Sequence, residues 1–209
     1  MTERPNYIHI DGMDLAGKTT ATQNIVKITD GEWTWRRNSL SGENPMYQLA
    51  DSLRLGKIQN SYDAETLGNL YVAALMGDIR NFTWPDRNTV QDSTIILRSL
   101  AYHNVRGTPR ISEVLLDLLP EHPKFDASFI LTASIEERIK RLQKRREQAP
   151  QEVGDEDLIV INKPERFLAM EACLIDISKK AFHSVIIDTT TLTPDMVIGE
   201  IQNNFKIKK

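Results

Sequence analysis

The residues best suited to chemistry lie in residues 12–20, "GMDLAGKTT". Gly12 and Gly17 are five positions apart, and Lys18 and Thr19 follow directly. This is the Walker A spacing, in which glycines let backbone N–H groups wrap a phosphate chain. The lysine would neutralise the β- and γ-phosphates, and the threonine hydroxyl would bind Mg²⁺. We therefore expect ATP with Mg²⁺ to be held by Gly12, Asp14, Leu15, Ala16, Gly17, Lys18, Thr19 and Thr20.

Such a loop needs a strand before it and a helix after it, and the sequence supplies both. Short β-rich runs alternate with helical patterns along the whole chain, which predicts a parallel sheet covered by helices on both faces. The predicted strands are residues 7–10, 32–36, 89–91, 128–132 and 184–188. The predicted helices are residues 18–28, 45–55, 64–81, 112–118, 135–148, 164–181 and 194–205.

Composition limits the partners and the compartment. The chain has 209 residues, of which 40% are apolar, enough for one substantial core, and its net charge of −3 gives no field for nucleic acid or an anionic membrane. The single cysteine excludes an internal disulfide framework. No apolar run reaches the length of a membrane span, and the first residues lack the apolar segment of a secretory signal. We therefore expect a cytoplasmic protein.

Three segments together resemble the thymidylate kinase family. "IDGMDLAGKTT" is similar to that family's "FEGxDGAGKTT", and "RSLAYH" at residues 98–103 is similar to its "SSLAYQ". "SIEERIKRLQKRR" at residues 134–146 resembles the helix that enters its arginine-bearing lid. The resemblance implies a P-loop nucleoside monophosphate kinase with a three-layer α/β/α fold and a five-stranded parallel sheet. It also implies one domain over residues 1–209, a helical lid at about residues 141–162, and a possible homodimer.

The resemblance further implies residues that bind the acceptor nucleotide. Asp14 would face the acceptor sugar, and Arg36 or Arg37 would bind the acceptor phosphate. Tyr102 and His103 would lie near the base. The alternatives are a loop-stabilising aspartate, solvated arginines and a structural histidine.

The sequence departs from the family pattern at two places in the acceptor site. Asp92 is followed by serine where the family has arginine, so Arg98 is the expected substitute. In the helix over residues 64–81, Tyr71 is expected to stack on the base. The arginine that should follow four residues later is absent, and Arg80 is the nearest basic group along that helix. A plain core helix is the alternative.

The end of a strand and the lid supply the remaining candidates. Asp92 could hold Mg²⁺ or its waters, with a helix N-cap as the alternative. Leu15 occupies a loop position where some family members carry a catalytic arginine, so the lid would provide one instead. Arg145 or Arg146 is the preferred candidate, followed by Arg141, whereas a solvated helix face is the competing interpretation.

The leading functional hypothesis is transfer of the γ-phosphoryl group of ATP to a small-molecule deoxynucleoside monophosphate, with dTMP as the default acceptor. The second hypothesis is phosphorylation of a hydroxyl group on a nucleoside or another small molecule, with Asp11, Asp14 or Asp92 near the nucleophile. The third is a P-loop binding module without turnover.

Overall fold

A computed structural model describes residues 4–41, 43–56 and 62–207, without the side chains of residues 152, 155 and 156. Its strands are β1 (Tyr7–Asp11), β2 (Trp33–Arg37), β3 (Asn88–Asp92), β4 (Ala127–Thr132) and β5 (Val185–Asp188). Its helices are α1 (Lys18–Ile28), α2 (Pro45–Arg54), α3 (Ala64–Arg80), α4 (Ile95–Arg106), α5 (Pro109–Leu118), α6 (Ile135–Gln148), α7 (Asp155–Asn162), α8 (Pro164–Phe182) and α9 (Pro194–Asn204).

The strands form one parallel sheet in the order β2-β3-β1-β4-β5. This confirms the predicted five-stranded parallel sheet. The register pairs both Arg37 and Ile10 with Asp92, so the carboxyl ends of β1, β2 and β3 meet at one edge. Ligands of open α/β sheets bind at this edge.

Alternation along each strand divides the core between the two faces. Ile8 and Ile10 of β1 pack with α1 and α9, and so do Phe129 and Leu131 of β4. Ile130, which points the opposite way, joins the larger cluster formed by α3 to α8. Helices therefore cover both faces, as predicted.

Two helices were not predicted, and α5 begins earlier than expected. α4 is buried at most of its positions, which leaves no amphipathic stripe for a periodicity argument. α7 lies in the segment expected to form the lid, and its Val160 is fully buried. α5 begins at Pro109 after Thr108, the same Thr-Pro start that α9 has at Thr193 and Pro194.

No helix in the described part of the chain is both long enough and apolar enough to cross a membrane.

A close contact between α3 and α4 depends on Gly68. A Cβ atom built there would lie 2.7 Å from Cε1 of His103 and 3.0 Å from Cγ1 of Ile111. His103 has little room to retreat, since it is buried and its Nδ1 is hydrogen-bonded to Thr108 Oγ1 at 2.6 Å. The absence of a side chain at residue 68 therefore sets the approach of these two helices.

Gly68→Ala should lower the free energy of unfolding by about 1–2 kcal/mol, because overpacking outweighs the gain in helix propensity. Gly77→Ala, on the same helix, is the matched control, since nothing lies within 4 Å of a Cβ there. It should raise stability by about 0.5–1 kcal/mol. Chemical denaturation of both variants measures the difference; equal effects at the two sites would contradict the packing argument.

Candidate active site

The loop between β1 and α1 has the conformation that phosphate binding requires. Gly12, Leu15 and Gly17 have φ values of 142°, 66° and 95°. Two of these three positions hold glycine, the residue that adopts positive φ without strain. Gly17 ends the loop just before α1, whose first residue is Lys18, so the positive end of the helix faces the loop.

Not every residue of the loop faces the ligand space. The Gly12 N–H donates to Asp11 Oδ1 at 2.8 Å, and a Cβ at Gly12 would lie 2.1 Å from the carbonyl oxygen of Leu131. Ala16 is fully buried, and its carbonyl accepts a hydrogen bond from Thr189 at 3.0 Å. These contacts give the two residues a role in shaping the loop, and their contact with phosphate stays a prediction.

Lys18 and Thr19 lie where the motif predicts. Lys18 Nζ donates to the carbonyl oxygen of Met13 at 3.1 Å and lies 3.9 Å from Asp14 Oδ1. Burial, followed by the nearby Arg98, lowers the pKa of Lys18. Thr19 Oγ1 donates to Asp92 Oδ2 at 3.0 Å, and Asp92 is only 1% exposed at the end of β3.

Thr19 and Asp92 fit a magnesium ion. A hydroxyl and a carboxylate are hard oxygen ligands, which Mg²⁺ prefers, and the ion commonly completes its shell with phosphate oxygens and water. Across the described residues, no group of three or more histidine, cysteine or acidic side chains forms a separate metal site. The donor set suits a metal shared with the nucleotide.

A second cation, Arg98, lies at the opening of the loop. One Nη atom donates to the carbonyl oxygen of Gly12 at 3.0 Å, and the other lies 3.1 Å from both carboxylate oxygens of Asp14. Although burial favours the neutral acid, Arg98 and then Lys18 hold the pKa of Asp14 well below its usual range. Asp14 is therefore a stable anion at neutral pH.

Ser93 shows how the chain brings Arg98 to this position. Ser93 replaces the arginine that the family pattern has after Asp92, and its φ of 65° lies in the left-handed region that serine rarely adopts. The chain turns there into α4. Arg98, on the first turn of that helix, then points back to the loop.

A cavity of about 310 Å³ begins at the loop and extends between α2, α3 and α4. From the phosphate-binding set, it is lined by Asp14, Leu15, Gly17, Lys18, Thr19 and Thr20. From the predicted acceptor-binding set, it is lined by Asp14, Arg37, Tyr71, Arg98, Tyr102 and His103. The fold thus brings together most of the predicted residues.

Three predicted arginines lie elsewhere. Arg36 donates to the carbonyl oxygen of Leu40 at 2.7 Å, because adjacent residues of β2 point to opposite sides. Arg80 is exposed at the end of α3, and Arg146 is exposed on α6. None of the three lines the cavity, whereas Arg37, the alternative to Arg36, does.

The basic residues of α6 have different environments, although their spacing suggested one lid face. Arg138 is fully buried, bonds to the carbonyl oxygen of Asp14 and to Glu171, and packs over the ring of Phe167 at 4.8 Å. Through the contact with Asp14, this side chain of α6 supports the phosphate loop. This role was missed because the arginines of this helix were interpreted as lid residues, with a solvated face as the alternative.

Arg141 and Arg145 also differ. Arg141 donates to the carbonyl oxygens of Leu15 at 3.0 Å and Thr189 at 2.7 Å, tying the loop to the segment after β5. Arg145 lines the cavity, and its Nη1 lies 3.0 Å from Asp157 on α7. Of the α6 arginines, Arg145 is the one that lines this cavity.

The residues after β2 are held by a buried carboxylate on α3. Asp78, 1% exposed, accepts hydrogen bonds from Ser39 Oγ, the Leu40 N–H, Ser41 Oγ and Asn44 Nδ2 at 2.8–3.0 Å. Asn44 in turn caps α2 by accepting from the Tyr47 N–H at 3.0 Å. Asp78 thus fixes the start of α2, which carries cavity residues.

Two charged residues of the cavity wall were missed. Asp51 and Arg54 lie on α2, with Arg54 Nη2 donating to Asp51 Oδ1 at 2.6 Å. Their spacing of three residues reads as an ordinary surface pair on a helix. The available signal was the arginine missing from α3, which required a basic group from another element.

His103 is a neutral group in this wall. Burial lowers its pKa to about 4, and its Nδ1 is engaged by Thr108. The adjacent Tyr102 bonds to Arg106 through its hydroxyl and is half-buried. Both residues line the cavity, although His103 is itself only 3% exposed.

Together, the phosphate loop on the sheet edge and the adjoining cationic cavity place this chain among the P-loop phosphotransferases. The family model for thymidylate kinase matches residues 10–197, so the chain belongs to the thymidylate kinase family. It is a nucleotide kinase, and an inert binding module is not supported. Among curated proteins, none is significantly similar to it in sequence.

Solved structures show the same fold at low sequence identity. The thymidylate kinase from Candida albicans has a TM-score of 0.69 and 18% identity, over 98% of this chain and 93% of that one. The thymidylate kinase from Ehrlichia chaffeensis has a TM-score of 0.64 and 16% identity, over 98% and 100%. A deoxyadenosine kinase from M. mycoides, solved with dATP bound, has a TM-score of 0.58 and 17% identity, over 95% and 98%.

Asp78→Ala should lower the free energy of unfolding by about 2–4 kcal/mol, since several donors lose their buried acceptor. It should also raise KM for the acceptor more than KM for ATP, because α2 contributes Tyr47, Asp51 and Arg54 to the cavity wall and no residue to the phosphate loop. Steady-state kinetics and denaturation of this variant, beside the exposed Asp86→Ala, measure both effects. Equal changes in both KM values would contradict the positioning role.

Proposed function

We propose that this kinase transfers the γ-phosphoryl group of ATP to the phosphate of a deoxynucleoside monophosphate, with dTMP as the default acceptor. The observation that carries this proposal is the position of Arg98, within 3.1 Å of the loop residues Gly12 and Asp14. A second cation at the opening of a phosphate loop suits an acceptor that brings its own negative charge.

On the donor side, the loop and Lys18 would hold the triphosphate of ATP. Thr19 and Asp92 would hold Mg²⁺, directly or through water, and the ion would supply neutralisation of the donor phosphates. The role of this chain's own groups is to position the reactants and to stabilise charge, which is what phosphoryl transfer needs.

On the acceptor side, Arg98 and Arg37 would bind the acceptor phosphate. Arg37 is paired in register with Asp92, which contacts Thr19, so Arg37 also lies at the loop end of the cavity. Asp14, held as an anion, would accept a hydrogen bond from the acceptor sugar.

The charge state of Asp14 favours a phosphate acceptor over a hydroxyl acceptor. A hydroxyl nucleophile benefits from a general base whose pKa lies near the working pH. Arg98 and Lys18, despite the opposing effect of burial, lower the pKa of Asp14 and so make it a weak base. A phosphate oxygen is already ionised and needs no such base. Asp11 is fully buried and occupied by the N–H groups of Gly12 and Thr94.

For the charge that develops during transfer, Arg145 is the proposed donor from a lid formed by residues 141–162. Its position in the cavity wall supports this assignment over Arg146. When the substrates bind, Arg145 would have to exchange its contact with Asp157 for contacts with phosphate oxygens.

Arg98→Gln should lower kcat/KM for the monophosphate by about 100-fold, because a charge-assisted contact with phosphate is lost. A coupled ADP-release assay with all deoxynucleosides and their monophosphates measures this. The exposed Arg110→Gln is the matched control. Calorimetry with ATP should show that the Arg98 variant still binds the donor. Faster turnover of nucleosides than of monophosphates by the wild type would overturn the proposal.

A further inference from the structure

The charged side chains of the cavity wall form two groups, one around the phosphate loop and one on α2. At the loop end, the charged side chains of the wall are Lys18, Arg37, Arg98 and the anion Asp14, which gives an excess of positive charge. On α2, the wall carries Asp51 with Arg54, a pair without net charge. An acceptor with an anionic phosphate and a neutral base would match this division.

We propose that Asp51 and Arg54 bind the hydrogen-bonding edge of the acceptor's base and thereby determine which base this kinase accepts. This inference rests on the proposed function, since it assumes that the cavity receives a nucleotide.

The pair is organised and only partly exposed. Arg54 Nε and Nη2 both donate to Asp51 Oδ1, at 3.1 and 2.6 Å. The two side chains are 29% and 26% exposed and border the cavity. Such a pair presents both donors and acceptors to a ligand at fixed positions.

Aromatic side chains beside the pair suit a planar ligand. The rings of Tyr47 and Tyr71 lie 6.0 Å apart, and both line the cavity. Burial raises the pKa of Tyr71, while Arg54 acts in the opposite direction, so the phenol remains a neutral surface close to the guanidinium. The wall near Arg54 thus combines flat apolar area with hydrogen-bonding groups.

A phosphate group would bind poorly beside the pair formed by Asp51 and Arg54. It would meet the Asp51 carboxylate, whose repulsion would cancel much of the attraction by Arg54. A base edge instead offers N–H groups to the carboxylate and a carbonyl or ring nitrogen to the guanidinium, as in base readout by such side chains. A base lacking the matching groups would leave buried polar atoms unpaired, which penalises the wrong substrate strongly.

The position of Arg54 also accounts for the departure from the family pattern on α3. The arginine expected one turn after Tyr71 is missing, and Arg80 lies outside the cavity. Arg54 reaches the vicinity of Tyr71 from α2 instead.

The test uses Arg54→Gln and Asp51→Asn, with Arg110→Gln as the control. Each is assayed with the five monophosphates of deoxyadenosine, deoxycytidine, deoxyguanosine, deoxyuridine and thymidine, and with 2-deoxyribose 5-phosphate as a competitor that has no base. We expect the wild type to favour its best base over its worst by at least about 100-fold in kcat/KM. Arg54→Gln should lower the best value by about 10- to 100-fold, whereas the inhibition constant of the base-free competitor should change less than about threefold.

Asp51→Asn should change the order of preference among the bases, which a purely structural role would not do. Equal weakening of nucleotide and base-free competitor would assign Arg54 to the phosphate and overturn the inference. A wild type that does not discriminate among bases, or variants that match the control, would also overturn it. If only nucleosides are phosphorylated, the proposed function fails. The same comparison of variants, run with nucleosides as acceptors, then tests separately whether Asp51 and Arg54 bind the base.

Discussion

The site depends on how closely the phosphate loop packs against the sheet. At Gly12 the backbone comes so near to Leu131 of β4 that a Cβ atom would lie 2.1 Å from its carbonyl oxygen. Its φ of 142° is a second reason why only glycine fits. Because the loop packs closely against the edge of the sheet, α1 begins at Lys18 near the carboxyl ends of β1 and β3. The contact from Thr19 to Asp92 follows from the same placement.

Buried charges then hold the loop from several sides. Arg138 contacts it from below and is compensated by Glu171, while Arg98 contacts it from the cavity and is compensated by Asp14. An unpaired buried charge would be costly, so each arginine that supports the loop needs its own acid. The charged side chains of the cavity wall near the loop still sum to an excess of positive charge where phosphate groups would meet. The pair with Arg98 keeps Asp14 ionised.

The sequence predicted the parts of the molecule whose signal is local. The loop residues and the alternation of strands and helices along the chain are both readable from short patterns. α4 was missed because it is buried on most sides, and α7 because its few apolar residues follow a polar stretch. In the site, Arg98 was expected as the substitute for the arginine missing after Asp92, and the structure puts it at the loop.

Other site residues depend on tertiary packing, which sequence spacing does not encode. Nothing in the pattern of α6 separates the buried Arg138 from the exposed Arg146. Likewise, Asp51 and Arg54 look like an ordinary helix pair until α2 is placed beside α3. Asp78 gains its role only when the segment after β2 folds around it.

The most direct test of the central claim follows the γ-phosphoryl group itself. The wild-type protein is incubated with [γ-³²P]ATP, Mg²⁺ and an equimolar mixture of thymidine and dTMP, and the products are separated by chromatography. This account predicts label in dTDP. Label in dTMP, formed from thymidine, or label only in inorganic phosphate would contradict it.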